Sequence, residues 1–373
     1  MVEWKKLGEV CKTVSPPKKL EKELYGNVGL YPIIDQGQKE IVGFTDDLTA
    51  LLPYGEYVLF GDHTRFVKYY RGKFAQGADG LKILKANESI IPRYFFYVFD
   101  NTEVPSRGYS RHWSIAKQLL IPIPSLSEQQ RIVSILDTFT SSISNLKQQI
   151  EERRKQYEYE RDLLLDLEGK EGVEMKKLGE VVSSDCSLSY GIVQPGDDVA
   201  DGVPVVRPVD LISNYVKLDG LKKTERLISE SYKRTILKGN EILFCVRGTT
   251  GIMGLATNEL KGCNVTRGIV PISFDDEITK MFVYYQLKCF RLQKVIDEKT
   301  NGTALKQINI KDLRLLNLFF PPLSTQSRIV SILDTFEQSI SNLEEQLAMR
   351  EKQYEYYRNQ LLTFEGEEER GKT

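Results

Sequence analysis

Arg131–Phe139 reads RIVSILDTF, and Arg328–Phe336 reads RIVSILDTF again. The match runs on through Ser142-Ile143-Ser144-Asn145-Leu146 against Ser339-Ile340-Ser341-Asn342-Leu343. It returns at Lys155-Gln156-Tyr157-Glu158-Tyr159 against Lys352-Gln353-Tyr354-Glu355-Tyr356, and fades after Glu168-Gly169 and Glu365-Gly366. A shorter echo lies upstream of each copy: Glu3-Trp4-Lys5-Lys6-Leu7-Gly8-Glu9-Val10 comes back as Glu174-Met175-Lys176-Lys177-Leu178-Gly179-Glu180-Val181. Between these marks the copies diverge, so the chain reads variable–constant–variable–constant, a scaffold built twice around two different segments.

The constant segments carry apolar residues at alternating spacings of four and three, the seam of a coiled coil. In the first copy these are Ile132, Leu136, Phe139, Ile143, Leu146 and Ile150, continuing to Tyr157, Leu164 and Leu167. In the second they are Ile329, Leu333, Phe336, Ile340, Leu343 and Leu347, continuing to Tyr354, Tyr357, Leu361 and Phe364. One seam position is charged in both copies, Arg153 and Arg350; it either fixes register or lies along the helix with its head in water. Pro124 and Pro322 precede the N-cap candidates Ser127 and Ser324. Neither segment has Pro or Gly before Gly169 or Gly366, so each predicts a helix of about 40 residues and roughly 60 Å. A helix with one apolar stripe needs a partner, and each copy offers the other an equivalent stripe.

Composition sets the outer limits. The chain of 373 residues holds 51 Lys and Arg against 52 Asp and Glu, a net charge of −1, which by itself does not announce a nucleic-acid binder. The balance is uneven, however: the variable segments carry a small positive surplus and the constant ones a negative one. Five scattered cysteines without a CxxC pair read as reduced structural thiols in a cytoplasm. Glu3, Trp4, Lys5 and Lys6 interrupt any signal-peptide pattern, and no apolar run nears the roughly 20 residues that span a bilayer. His63 and His112 are the only histidines, which leaves little for a metal site or a triad. There is no GxxxxGK[ST] loop, Gly248–Gly254 has the wrong spacing for a dinucleotide site, and Ser15-Pro16-Pro17-Lys18 is not a methyltransferase signature. A recognition protein without catalytic residues or a metal of its own is expected.

Each variable segment reads as an α+β domain. Tyr57–Phe60 and Leu81–Leu84 predict strands in the first, with a helix over 92–99. Val203–Val206, Glu241–Val246 and Gly268–Ile272 predict strands in the second, followed by one amphipathic helix over 279–295. Basic, amide, hydroxyl and aromatic residues gather at the turns. In the first segment they are Arg65, Lys68, Arg71, Lys73, Arg107, Tyr109, Arg111 and His112; in the second, Arg207, Arg247, Thr249, Thr250, Asn264, Arg267, Asn301, Thr303, Lys306 and Gln307. Arg, Asn, Gln and Thr suit base edges, and Arg, Lys and backbone amides beside glycine suit phosphates.

The whole chain resembles the specificity (S) subunits of type I restriction–modification systems. Pro124-Ser125-Leu126-Ser127-Glu128-Gln129-Gln130-Arg131-Ile132 and Pro321-Pro322-Leu323-Ser324-Thr325-Gln326-Ser327-Arg328-Ile329 are similar to that family's Pro-Leu-x-x-Gln-x-x-Ile helix start. The second segment matches the recognition-domain pattern at Tyr190-Gly191, Val203–Arg207, Gly239–Leu243, Arg247–Gly251 and Gly302-Thr303-Ala304. The first keeps Tyr54–Leu59 and Gly108 but has Gly61-Asp62-His63-Thr64-Arg65 in place of the Arg-Gly-Thr turn. The resemblance implies target-recognition domains over 1–121 and 171–320, helical regions over 122–170 and 321–366 pairing antiparallel within the chain, and a disordered tail over 367–373. It implies that each domain reads one half of a split, asymmetric double-stranded DNA target while the helices set the unread spacer. It also implies docking of two methyltransferase (M) subunits and of restriction (R) subunits, with S-adenosylmethionine, ATP and Mg on those partners. A rod of roughly 60 Å exceeds one DNA turn of about 34 Å, as separated half-targets require. A coiled-coil adaptor that binds proteins and has no DNA specificity is the competing reading.

Overall fold

The computed structural model describes residues 2–108, 110–302 and 306–364, so the tail expected over 367–373 lies outside the described residues. The chain folds as two compact units, Met1–Gln148 with Glu344–Thr373, and Gln149–Leu343. Each unit therefore holds one variable segment and part of both constant helices.

The duplicated sequence yields duplicated structure. Glu3–Lys6 pairs antiparallel with Leu120–Ile123, with Glu3 opposite Ile123; Glu174–Lys177 pairs with Asn317–Phe320, with Glu174 opposite Phe320. Each echo strand thus meets the strand that leads into a constant helix. These helices run Leu126–Leu164 and Leu323–Leu362.

In the first unit a four-stranded antiparallel sheet has the order Cys11–Val14, Leu81–Ala86, Gly55–Gly61, Val67–Gly72. A smaller sheet places Tyr31–Ile34 between Gly43–Thr45 and Ala75–Gln76. Helix Pro92–Asp100 buries Tyr94, Phe95, Tyr97, Val98 and Phe99 in a core with Phe60 and Leu84. In the second unit Ile242–Cys245 lies between Met253–Leu255 and Ile269–Ile272, and Val203–Val206 between Lys222–Thr224 and Asn264–Val265. The single helix expected over 279–295 is instead two, Glu277–Lys288 and Phe290–Glu298. They part at Cys289, whose ψ of 149° is extended. The first of them is buried continuously from Lys280 to Leu287, so it is a core helix with no solvent stripe.

The constant helices pair antiparallel in each unit. In the first unit Phe139 stacks on Tyr357 at 5.3 Å, Arg350 lies over the Phe139 ring at 5.7 Å, and Lys147 pairs with Glu351 at 2.9 Å. In the second, Arg153 lies over Phe336 at 6.0 Å and Tyr157 donates to Glu337 at 2.9 Å. The two seam arginines each cover the opposite helix's repeated phenylalanine, a contact made in only one register. Ile132, Leu136, Ile329 and Leu333 are buried inside the cores of their units, whereas Ile143, Leu146, Ile340, Leu343 and Leu347 are half-buried. The seam is buried where it merges with the variable domains, and Ile150, further along the first helix, is buried as well.

The helix starts differ from expectation by a turn or less. Ser125, one step before Leu126, accepts from the Glu128 amide at 3.3 Å, so it and not Ser127 caps the first helix. In the second the Pro322 carbonyl accepts from Thr325 and Gln326, and Ser324 sits within the first turn. The repeated glutamines fold back alike, Gln129 onto the Pro124 carbonyl and Gln326 onto that of Pro321.

A second repeated contact fastens each variable domain to its helix. Tyr97 donates to Asp137 at 2.6 Å, and Tyr285 donates to Asp334 at 2.5 Å, the two aspartates being the same residue of RIVSILDTF. Tyr97→Phe and Tyr285→Phe should each lower unfolding free energy by about 1 kcal/mol, the net worth of one such bond. Urea denaturation of the full chain checks this, and an unchanged midpoint would show the latch to be dispensable.

All five cysteines are free. Burial pushes the thiols of Cys245, Cys263 and Cys289 up, and that of Cys11 to about 12, so these four are inert filler. Among the described residues no helix is long and apolar enough to cross a membrane, and no group of His, Cys, Asp and Glu could hold a metal ion.

Candidate nucleic-acid interface

The second unit gathers its candidates at one end of the 242–245 sheet. Cys245 faces Ile269 in the ladder, and the Val246 amide continues it to the Gly268 carbonyl at 2.8 Å. One step further along their two strands come Arg247, which bridges to Gln307, and Arg267, whose amide donates to the Ile192 carbonyl at 2.8 Å. The chain then turns through Gly248 at φ +87° and Gly251 at φ +89°, a left-handed pair that suits glycine. The turn is tied to the neighbouring loop: Gly248 N and Thr250 Oγ1 both donate to the Lys306 carbonyl, at 2.9 and 3.2 Å. Gln307 bridges to Arg247 on one side and exchanges two 2.9 Å backbone bonds with Asn301 on the other. Arg247, Thr249, Thr250, Arg267, Asn301, Lys306 and Gln307 therefore share one surface, with Thr249, Arg267, Asn301 and Lys306 exposed. Arg247, Arg267 and Lys306 carry no ion pair among the described residues, so their charge is available to an anion. Thr303 lies outside the described residues.

Two candidates in this unit have other work. Arg207 is fork-paired with Asp210, through bonds of 2.7 and 3.0 Å, and closes the turn after strand 203–206. Asn264 is 0% exposed; its amide donates to Ser229 at 3.0 Å and its carbonyl accepts from Thr235 at 2.7 Å. Both were expected to touch DNA; Asn264 is instead spent inside the domain, because a buried amide must be satisfied internally, whereas the Arg207 guanidinium is half-buried and held by Asp210.

In the first unit the candidates fall into separate groups. Arg65, itself at φ 66°, sits at the tip of the hairpin joining Gly55–Gly61 to Val67–Gly72 and donates to the Val104 carbonyl at 3.0 Å. That bond brings it beside the loop carrying Arg107 and Arg111, both exposed. Tyr109 of that loop lies outside the described residues. Arg71 and Lys73 are at the far end of the same ribbon, roughly 20 Å away at about 3.3 Å per residue. Lys68 is half-buried: its ammonium donates to the Asp35 carbonyl at 2.9 Å and to that of Lys39, and burial pulls its pKa down. His112 is 1% exposed with both ring nitrogens engaged, so it cannot reach a base.

Sequence reasoning missed two residues that shape these surfaces. Gln293 donates to the Gly251 carbonyl at 3.2 Å and supports the Arg247–Gly251 turn; nothing in the 279–295 pattern marks it. Asp62, 2% exposed, accepts from the Trp113 amide at 2.7 Å and lies 3.5 Å from the Lys82 ammonium. An acidic residue amid basic turns was the available signal.

Residues 1–153 and 170–349 each match the family model described as type I restriction modification DNA specificity domain. The chain belongs to this family. Its two specificity domains start at the two echo strands and each takes in most of a constant helix. The EcoR124I/EcoR124II specificity subunit of Escherichia coli is 27% identical over 390 residues, which is 97% of this chain and 94% of that protein. A putative type I restriction enzyme specificity subunit of Haemophilus influenzae is 27% identical, over 97% of this chain and 96% of its own length. The fold is that of the crystal structure of a type I restriction–modification S subunit from M. genitalium, with a TM-score of 0.65 and 15% identity, covering 98% of this chain and 96% of that one. A structure described in terms of complex assembly and conformational transition of the type I system aligns at a TM-score of 0.58 and 19% identity, covering 97% and 96%.

Proposed function

We propose that this chain is the DNA-reading subunit of a type I restriction–modification complex. One observation carries the reading beyond family membership: Arg247 and Arg267 lie just beyond the ends of two neighbouring strands, without ion-pair partners among the described residues, in loops that also carry threonines, amides and a glycine-supported turn. Such a set can offer a guanidinium fork to guanine and donors to phosphate. The first domain offers Arg65, Arg107 and Arg111 on a different loop framework, so the two half-targets differ.

The chain itself is not catalytic in this reading. Methylation with S-adenosylmethionine and ATP- and Mg-dependent cleavage belong to M and R partners in the cytoplasm. Two M subunits dock on repeat-related faces of the constant helices. Tyr159 and Tyr356, the same residue of the repeat, are 67% and 57% exposed, which supports two equivalent docking points. The helices, 39 and 40 residues long, set the unread spacer.

The test is binding by the chain in complex with its methyltransferase partner. A bipartite duplex site should be protected, and affinity should fall steeply and linearly in log–log form as salt rises. Equal affinity for all sequences would overturn the reading.

A further inference from the structure

We infer that His112 is a positioning residue for DNA recognition, locking the arginine-bearing loop 104–112 onto the Asp62–Arg65 hairpin tip; this rests on the DNA-reading role proposed above. The Nδ1 atom of His112 lies 2.9 Å from the Asp62 carbonyl oxygen, and its Nε2 lies 3.2 Å from the Arg107 amide. A carbonyl only accepts and an amide N–H only donates, so Nδ1 must carry the proton and Nε2 the lone pair. One neutral tautomer satisfies both bonds. The His112 amide adds a third bond to the same Asp62 carbonyl at 2.8 Å, and the Asp62 carboxylate takes the Trp113 amide.

At its start the loop is also anchored by Val104, buried in the core of the first unit. Among the described residues from 105 to 111, its other backbone hydrogen bond runs within the loop, from Ser110 N to the Gly108 carbonyl. The Arg65 guanidinium secures the entry to the loop at Val104, and His112 secures its exit and, through Arg107, its middle. Arg65, Arg107 and Arg111 are thereby set in one arrangement before any ligand arrives, the condition under which a short polar set can discriminate. A side chain that merely filled this space would leave the Arg107 amide without this partner and open to water.

The experiment uses the chain in complex with its methyltransferase partner, on duplexes with the intact target or with either half scrambled. His112→Ala should weaken binding to the intact target about tenfold and flatten discrimination at one half-target. That half should be the one that Arg247→Ala leaves intact. His112→Asn keeps a donor for the Asp62 carbonyl but has no acceptor at the Nε2 position; it should remain folded and still lose discrimination at that half. In both variants the Arg107 amide should exchange its hydrogen faster than in the wild type. Equal loss at both halves, loss at the half served by Arg247, or undiminished discrimination would each overturn the assignment, as would unchanged exchange at Arg107. A wild-type complex indifferent to both halves would instead refute the DNA-reading role, and the exchange measurement would still decide whether His112 locks the loop.

Discussion

Leu333→Ala will lower the unfolding free energy by about 2–5 kcal/mol, the cost of emptying a buried leucine site that cannot fully collapse. Leu333 is 0% exposed and belongs to a cluster with Phe282, Tyr285, Phe320 and Ile329. Its surroundings are a long helix, a core helix and a paired strand, each tied elsewhere, so little can move in to fill the space. The repeat supplies an internal control. Leu136 occupies the same place in the first unit, also at 0% exposure, and its truncation should cost a similar amount. Denaturant unfolding monitored by hydrogen exchange assigns each loss to its unit. A cost under about 1 kcal/mol would mean that the helix rests against the domain without being packed into it.

Arg247→Ala will weaken binding of the complex to its target by about 5- to 150-fold, corresponding to about 1–3 kcal/mol for an arginine that reads a base. The loss should be concentrated at one or two positions of one half-target and should vanish on duplexes already altered there. Arg267→Ala, across the ladder, should behave alike. Lys306→Ala should differ in kind. A lysine on phosphate weakens all sequences uniformly and reduces the salt slope by about one. Competition binding with single-position variants of the target separates these patterns. A uniform loss for Arg247→Ala would reassign it from base to backbone.

The scaffold was legible because its signals are periodic and repeated. RIVSILDTF twice, with an apolar residue every three or four positions, can form only an amphipathic helix, and its copy is an obvious partner. Strands 57–60, 203–206 and 269–272 were legible from β-branched and aromatic runs. The break at Cys289 was not, because its extended backbone comes without the Pro or Gly that usually marks one. Burial separated the exposed candidates from the rest. Arg267 and Asn264 are three residues apart and equally polar, yet the first is exposed and the second satisfied inside. That difference is set by Ser229 and Thr235, which lie 35 and 29 positions away and which no local pattern links to Asn264. His112 misled for a related reason: its ring is buried against the Asp62 carbonyl, 50 positions away, although its other partner, Arg107, lies only five residues upstream.

The first unit's core contains Leu7, Tyr94, Ile132 and Leu136, but it also contains Leu362, with Tyr354, Leu361 and Phe364 packed against it. A ribosome delivers the first 148 residues long before it delivers those. At about 5–20 residues per second, that face waits some 10–40 s for its cover. The second unit, drawn from one uninterrupted stretch, has no such delay. The half of the molecule made first is therefore the half completed last, and in the interval its exposed leucine and isoleucine face is where a chaperone, or an aggregate, would find this chain.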